Sequence, residues 1–371
     1  MFLNPEPDFT LLIPTMNRPA EFAMLCRYLV RHRARFDIVA LDASDLGVQK
    51  QNAAQLSALP LKAKHYAFSA GTPLFETVCA GLAEIKTPYS ALIPDDDIPL
   101  PDGLAHALGF LRRHSDYVAA QGYHLSFLPH QNGIRLIDIP EWTPSIDQEQ
   151  PLARLFHYAR RYQPACFAVY RTEVLARSHA APLGLDNRGL TEHMQAFIAV
   201  REGKLARLPV IHRLRREDQS IVPRVQLHIF YQFIDSPEQL GREFPAYRER
   251  LVDAFLPTCD GRLGRQEVAR VIDLIYGHYF DRHFDPAWTE VVIKKILGLI
   301  SPKDLAHEEN SRLPAAMRPP LVDAAQDVAS GDGRMSRFWV ESGVLKDLEN
   351  PEISLAMGDI GDAIADAAEY Y

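Results

Sequence analysis

The chain has 371 residues, 47% hydrophobic and 24% charged, an ordinary globular composition with enough sequence for two domains, or one large domain with an extension. Its formal net charge of −8 lacks the basic footprint that a phosphate backbone calls for, which sets nucleic acid aside as the main partner but leaves room for a small phosphorylated ligand held by a metal ion. Four scattered cysteines with no C-x-x-C spacing do not read as a disulfide scaffold or a zinc site, and neither a signal peptide nor a run of roughly 20 apolar residues stands out, so a cytoplasmic setting is expected.

In chain order, "FTLLIP" (residues 9–14) reads as a buried strand. "NRPAEFAMLCRYLVRHR" follows as a helix, with Phe22, Leu25, Tyr28 and Leu29 at helical spacing. "FDIVALD" (36–42) is a second strand, "LGVQKQNAAQLSAL" a second helix and "LKAKHYAF" a weaker third strand. "TPLFETVCAGLAEI" is a helix whose Pro73 suits its first turn. "YSALI" (89–93) is a fourth strand, and "GLAHALGFLRRH" a helix with Leu104, Leu108 and Leu111 on one stripe. Strand and helix alternating at this spacing predict an α/β chain: a mostly parallel sheet covered by helices on both faces, with ligands at the carboxyl ends of the strands.

From about residue 117 the pattern loosens. "YVAAQGYHLSFLP" reads as a strand or hairpin, "PACFAVYR" as a strand, "LTEHMQAFIAVREG" as a helix and "KLARLPVIH" (204–212) as a late strand. Beyond about residue 222 the chain reads as mainly helical, which sets a boundary between residues 1–222 and 223–371. "VVIKKILGLI" (291–300) is amphipathic; packing on the protein's own core is its first reading and a membrane surface its second. "SPKDLAHEENSRLPAAMRPP" and "ASGDGRMSR" are polar connectors.

One stretch stands out: "SALIPDDDIPLPDGL" (90–104). Asp95, Asp96 and Asp97 crowd together at the end of the fourth strand, a cost in free energy unless something positive lies between them. Asp42 and Asp45 end the second strand, so several acids share one rim. Three carboxylates at a strand end supply hard oxygen ligands for Mg2+ or Mn2+ bridging to a diphosphate. On an extended chain Asp95 and Asp97 would converge while Asp96 points elsewhere. A solvated acidic turn, or Asp97 as a helix cap, is the plainer reading.

"LLIPTMNRP", "LDASD", "ALIPDDDIPLPDGL" and "GLTEHMQAFIAVREGKLARLPVIH" together resemble, in order and over about residues 8–215, the family 2-type glycosyltransferases: opening strand and loop, second strand end, D-x-D segment, and the acceptor-side helix followed by a strand and a metal-binding His. The resemblance implies a GT-A (Rossmann-like) fold, a UDP- or GDP-type nucleotide-sugar donor, a glycan or glycoconjugate acceptor and a divalent metal, Mn2+ or Mg2+. By position, Pro14, Thr15 and Arg18 would line the nucleotide site. Asp42 would meet the base, with Ser44 and Asp45 nearby. Asp95 and Asp97 would serve ribose, diphosphate and metal, His212 would add a metal ligand, and Glu192 would stand at the base position.

Two departures qualify this. Aligning on "LPDGL" puts Pro94 at the family's first Asp, so Asp96 and Asp97 compete with Asp95 and Asp97 as the functional pair. The family's Glu-Asp is here Glu192-His193, so the base is Glu192 or His193, or catalysis is impaired. Arg213, Arg215 and Arg216 could approach a diphosphate or form a solvated patch; Tyr123, Phe127 and Trp142 could stack on a sugar. The function this implies is transfer of a sugar to an acceptor hydroxyl, with inversion on family grounds, in surface-glycan or glycoconjugate synthesis, as polysaccharide biosynthesis requires. A setting peripheral to the inner membrane and a homo-oligomer stay open. The rivals are a non-catalytic nucleotide or sugar binder on the same fold and a metal-dependent nucleotidyltransferase, the latter without a P-loop glycine pattern.

Overall fold

The computed structural model describes residues 8–130, 133–138, 144–160, 162, 164–216 and 237–283. Trp142, the amphipathic stretch 291–300 and both polar connectors lie outside the described residues.

The chain opens with β1 (Phe9–Thr15), α1 (Pro19–Arg31), β2 (Asp37–Asp42), α2 (Leu46–Ser57), β3 (Ala63–Ala67), α3 (Leu74–Glu84) and β4 (Tyr89–Leu92). A two-residue strand, β5 (Ile98–Pro99), then leads into α4 (Pro101–Arg113). There follow the hairpin β6 (Tyr117–His130) and β7 (Gly133–Asp138), α5 (Pro151–Arg160), β8 (Val169–Arg171), α6 (Thr172–Ala180), α7 (Arg188–Glu202) and β9 (Lys204–Arg216). Two further helices, α8 (Pro237–Phe255) and α9 (Arg265–His283), complete the described chain.

Local chemistry explains the helices. Pro19 starts α1, Glu21 sits by the positive end of its dipole and Arg31 by the negative end, while Phe22, Leu25, Tyr28 and Leu29 turn inward as their spacing predicts. Pro101 opens α4 in the same way, with Leu104, Leu108 and Leu111 buried.

The strands form one sheet in the order β3-β2-β1-β4-β8-β6-β9-β5, with β7 paired to β6. β3, β2, β1 and β4 are mutually parallel. Thr15 therefore stands opposite Asp42, and Leu12 opposite Leu92, which brings the carboxyl ends of β1, β2 and β4 to one edge. Antiparallel pairing enters at β8, which joins β4 to β6, and β5 closes on β9 with Ile98 opposite Leu214. A parallel half, an acidic turn after β4 and a short strand folded back onto β9 make this the α/β arrangement that the alternation of strands and helices predicts.

β1 is buried on both faces. Phe9, Leu11 and Ile13 join α1 and α4 in one apolar cluster, while Leu12 faces a second cluster built with α3, α6 and α7. Tyr247 and Phe255 of α8 and Ile272 and Tyr276 of α9 belong to that second cluster, so these helices share the sheet's core. Among the described residues, no helix is long and apolar enough to cross a membrane.

"PACFAVYR" yields only the three-residue β8, because Ala168 N–H donates to the Ala165 carbonyl and residues 165–168 turn rather than extend. Conversely, β9 runs past His212 to Arg216. Tyr123 and Phe127 are buried in the first cluster, which leaves no ring face for a sugar. Gly103 lets α4 lie directly on β9: a Cβ there would come within 2.4 Å of the His212 Cα and 2.5 Å of the Ile211 carbonyl oxygen.

Candidate functional site

Three groups of side chains meet at the carboxyl edge of the sheet. The first surrounds Asp42, which is fully buried. Its Oδ1 accepts the Ser44 N–H at 2.9 Å; its Oδ2 accepts the Asn52 amide at 2.9 Å and meets His65 Nε2 at 3.0 Å. Burial pushes this carboxyl up, but the hydrogen bonds from His65, Ser44 and Asn52 outweigh it and hold the pKa at about 2. Asp42 thus spends its carboxylate on its own chain and leaves no oxygen turned out toward a base. The loops after β1 and β2 are clasped beside it. Asn17, at φ 57°, donates its N–H to Ser44 Oγ at 2.8 Å and accepts the Asp45 N–H at 2.9 Å. Pro14 lies in β1 opposite Leu41, and Asp45 is exposed.

The second group is the aspartate triplet. The Asp97 N–H donates to the Pro94 carbonyl at 3.2 Å, so residues 94–97 form a turn, and the alternation expected of an extended strand does not apply. Asp95 and Asp96 share one partner. Arg18 Nη2 meets Asp95 Oδ1 at 2.6 Å while its Nη1 bonds Asp96, and Thr15 Oγ1 donates to Asp95 Oδ2 at 2.6 Å. Asp97 faces elsewhere: Arg213 Nη1 lies 2.8 Å from its Oδ2, and the Arg216 N–H donates to its Oδ1 at 3.1 Å. The Arg213 guanidinium also stacks over Phe167, 4.0 Å from the ring centroid.

The positive partner expected between these acids is therefore guanidinium. Burial raises the Asp95 pKa to about 7 against the opposing pull of Arg18 and Thr15. Burial likewise raises Asp97, against Arg213.

His212 stands on β9 beside this turn, its carbonyl accepting the Leu100 N–H at 2.8 Å. Its Nδ1 bonds the Tyr123 carbonyl at 2.9 Å, while Nε2 is buried. Burial, reinforced by the Arg213 charge, lowers its pKa to about 3 against backbone hydrogen bonds to Tyr123 and Phe167, so the imidazole is neutral. A neutral imidazole nitrogen suits a metal. The carboxylates do not, since Asp95 and Asp97 are both committed to guanidinium groups. Among the described residues, no three His, Cys, Asp or Glu side chains come together as metal ligands. As arranged, this donor set does not fit a resident divalent cation.

The third group lies at the start of α7. Asn187 caps the helix, its Oδ1 accepting the Leu190 N–H at 3.0 Å, which fixes the first turn, and Glu192 and His193 follow in the second. Glu192 Oε1 accepts the Tyr162 hydroxyl at 2.8 Å. Burial raises the Glu192 pKa; the Tyr162 bond and then the charges of Arg215 and Arg188 oppose it. His193 packs among aromatic rings. It is 3% exposed, with its ring centroid 4.2 Å from Tyr162, 4.9 Å from Tyr279 and 5.4 Å from Phe197.

Arg215 ties the groups together, since its charge acts on both Asp97 and Glu192. Arg213 and Arg215 also act on Cys166, which itself senses Glu192. The acidic turn and Glu192 are thus both under the positive charge of β9. Thr15, Arg18, Asp95 and Asp96 are in direct contact, Asp97 joins through β9, and Asp42 stands apart in its own network. Sequence reasoning missed Asn17, Asn52, His65 and Tyr162. Nothing in their spacing marks them, for each gains its role from a partner 10 to 30 residues away that only the fold brings into contact.

No family model matches the chain, and no curated protein matches it. Among solved structures it is similar to the 1–349 segment of S. aureus TarS in complex with UDP-GlcNAc, at 12% identity and a TM-score of 0.47, covering 98% of this chain and 90% of that one. The same segment without that ligand gives 12% identity and a TM-score of 0.46 over 98% and 89%. A third similar structure is the mannosyltransferase PcManGT from Pyrobaculum calidifontis in complex with GDP-Man and Mn2+, at 14% identity and a TM-score of 0.41 over 98% and 88%.

Proposed function

We propose that this chain is a glycosyltransferase that moves a sugar from a nucleotide-sugar donor of the UDP or GDP type to an acceptor hydroxyl, with inversion. One observation carries the reading: the acidic turn at the carboxyl end of the parallel strands is held by the Arg18 and Arg213 guanidinium groups, and the charge of Arg215, which acts on Asp97 in that turn, acts also on Glu192. In this reading the diphosphate lies along that turn. Arg213 and Arg215 face the charge that grows on the departing nucleoside diphosphate, as preorganised cations do in other transferases. Glu192 takes the proton of the acceptor hydroxyl; the freed oxygen bonds the anomeric carbon as the bond to the diphosphate oxygen breaks.

Asp95 and Asp97 hold Arg18 and Arg213 in place. Asp42 fixes the Ser44 loop on the base side, and the base itself meets the rim around Thr15, Asn17 and Asp45. Any divalent cation belongs to the donor complex, because Mg2+ and Mn2+ commonly bind through substrate phosphates and one or two carboxylates rather than in an all-protein cage. Among the described residues, His212 is the imidazole beside the acidic turn that could reach it.

One feature favours a second reading, a binder without catalysis. His193, at the position where the resemblance puts the usual base, is enclosed by aromatic rings. Donor hydrolysis and transfer across a panel of UDP and GDP sugars separates the two. Turnover should fall about 10²–10⁴-fold in Glu192→Gln while nucleotide affinity stays. Nucleotide binding without turnover in the wild type would establish the binder instead.

A further inference from the structure

Tyr162 lies in the connection between α5 and β8, outside any helix or strand, yet it is firmly held. Its ring packs against His193 at 4.2 Å and meets Tyr158, Tyr279 and Phe197 edge-on at 5.5, 6.1 and 6.3 Å. Those rings come from α5, α7 and α9, so three helices clamp one side chain whose hydroxyl ends on Glu192 Oε1 at 2.8 Å. A loop tyrosine fixed this closely by aromatic packing has few other orientations for its hydroxyl. His193, buried rather than turned to the acceptor, forms one wall of that clamp.

Resting on the reading of Glu192 as proton acceptor, we infer that Tyr162 is a positioning residue: it engages Oε1 and so assigns the proton transfer to Oε2. The charge environment is consistent with this division. Arg215 from β9 and Arg188 on α7 itself face Glu192 with positive charge. Tyr158 of α5, Cys166 before β8 and Tyr279 of α9 face it as neutral groups, their proton loss suppressed first by burial. Burial also keeps the Tyr162 hydroxyl protonated well past neutrality, so it remains a donor throughout the working range. A hydroxyl donating to a carboxylate favours the ionised form. Removing it makes Glu192 a carboxyl that loses its proton at higher pH.

Tyr162→Phe keeps the clamped ring and deletes only the donor. The carboxyl carbon of Glu192, assigned by its loss in Glu192→Gln, is titrated by NMR in wild type and Tyr162→Phe, beside a kcat/KM profile and a melting curve. The expected result is a rise of about half to one pH unit in the Glu192 titration, a matching rise in the acid limb of kcat/KM and a three- to tenfold lower kcat/KM on that limb. Nucleotide affinity and melting temperature should hold. Turnover with an unmoved limb and titration overturns the inference and leaves the transferase reading standing. So does a loss in which nucleotide affinity falls along with kcat. A wild type that turns over no nucleotide sugar overturns the underlying reading and this inference with it.

Discussion

Two buried acidic centres close the same edge of the sheet, and the chain neutralises them by different means. Asp42 is met by short, local partners: the Ser44 N–H, Asn52 and His65, all within 23 residues of it. Asp95 and Asp97 are met by guanidinium groups reaching from 77 and 116 residues away. The outcomes are opposite, one carboxyl held at about 2 and the other raised to about 7. At Asp42 hydrogen bonds from His65, Ser44 and Asn52 overcome the cost of burial; at Asp95 the Arg18 guanidinium and the Thr15 hydroxyl do not, with the like charge of Asp96 beside it. The first arrangement suits a scaffold. The second suits a ligand site, because arginine forks match phosphate as well as carboxylate and can change partner without moving the backbone.

The sharpest way to break this contrast is to remove one guanidinium. Arg213 and Asp97 have side chains only 4% and 6% exposed, so Arg213→Met leaves an uncompensated buried carboxylate. A loss of about 3–5 kcal/mol is expected, read from the urea midpoint. Adding Asp97→Asn should recover most of it, since the double variant buries no charge. Recovery that fails would mean that Arg213 matters through its stacking on Phe167 and not through the pair.

Asp42 tests the other side, through pH. Its folded pKa of about 2 lies below the unfolded value of 3.8. The stabilisation is therefore present above about pH 4 and lost as pH falls toward 2. Asp42→Asn should cost about 2 kcal/mol at pH 7, and the gap to wild type should close between pH 4 and 2. A gap that stays constant across that window would show that shape, not ionisation, holds the Ser44 loop.

Much of this scaffold is legible in the sequence, while the partnerships are not. The alternation of "FTLLIP", "FDIVALD" and "YSALI" with amphipathic helices follows from periodicity, and it alone brings the ends of β1, β2 and β4 to one rim. Short elements such as β5 and β8 escape, because two or three residues carry no period. Strand alternation fails for the triplet because the Asp97 N–H closes a turn onto Pro94, and the flanking prolines are the sequence mark of that turn. Above all, a sequence shows which residues are charged and not how far a long side chain reaches. Arg18 and Arg213 could be placed near a diphosphate but not onto Asp95 and Asp97, and Tyr162 could not be placed on Glu192 at all.

The smallest expected effect decides how the acidic turn is used. With both carboxylates committed to arginines and no group of three metal-ligating side chains among the described residues, Mn2+ alone has no preformed set of ligands there. At about 1 mM it should move the melting temperature by no more than about 1 °C, the response to a site with a millimolar constant. An ion present at a hundredfold excess over its constant would instead add about 2.7 kcal/mol and several degrees. A shift of that size without nucleotide would mean that Arg18 and Arg213 yield their carboxylates to the bare ion, and the two acidic centres would then differ in occupant as well as in partner length. A shift that appears only when UDP or GDP joins the Mn2+ would place the ion with the diphosphate and leave the guanidinium pairs as the resting state of the site.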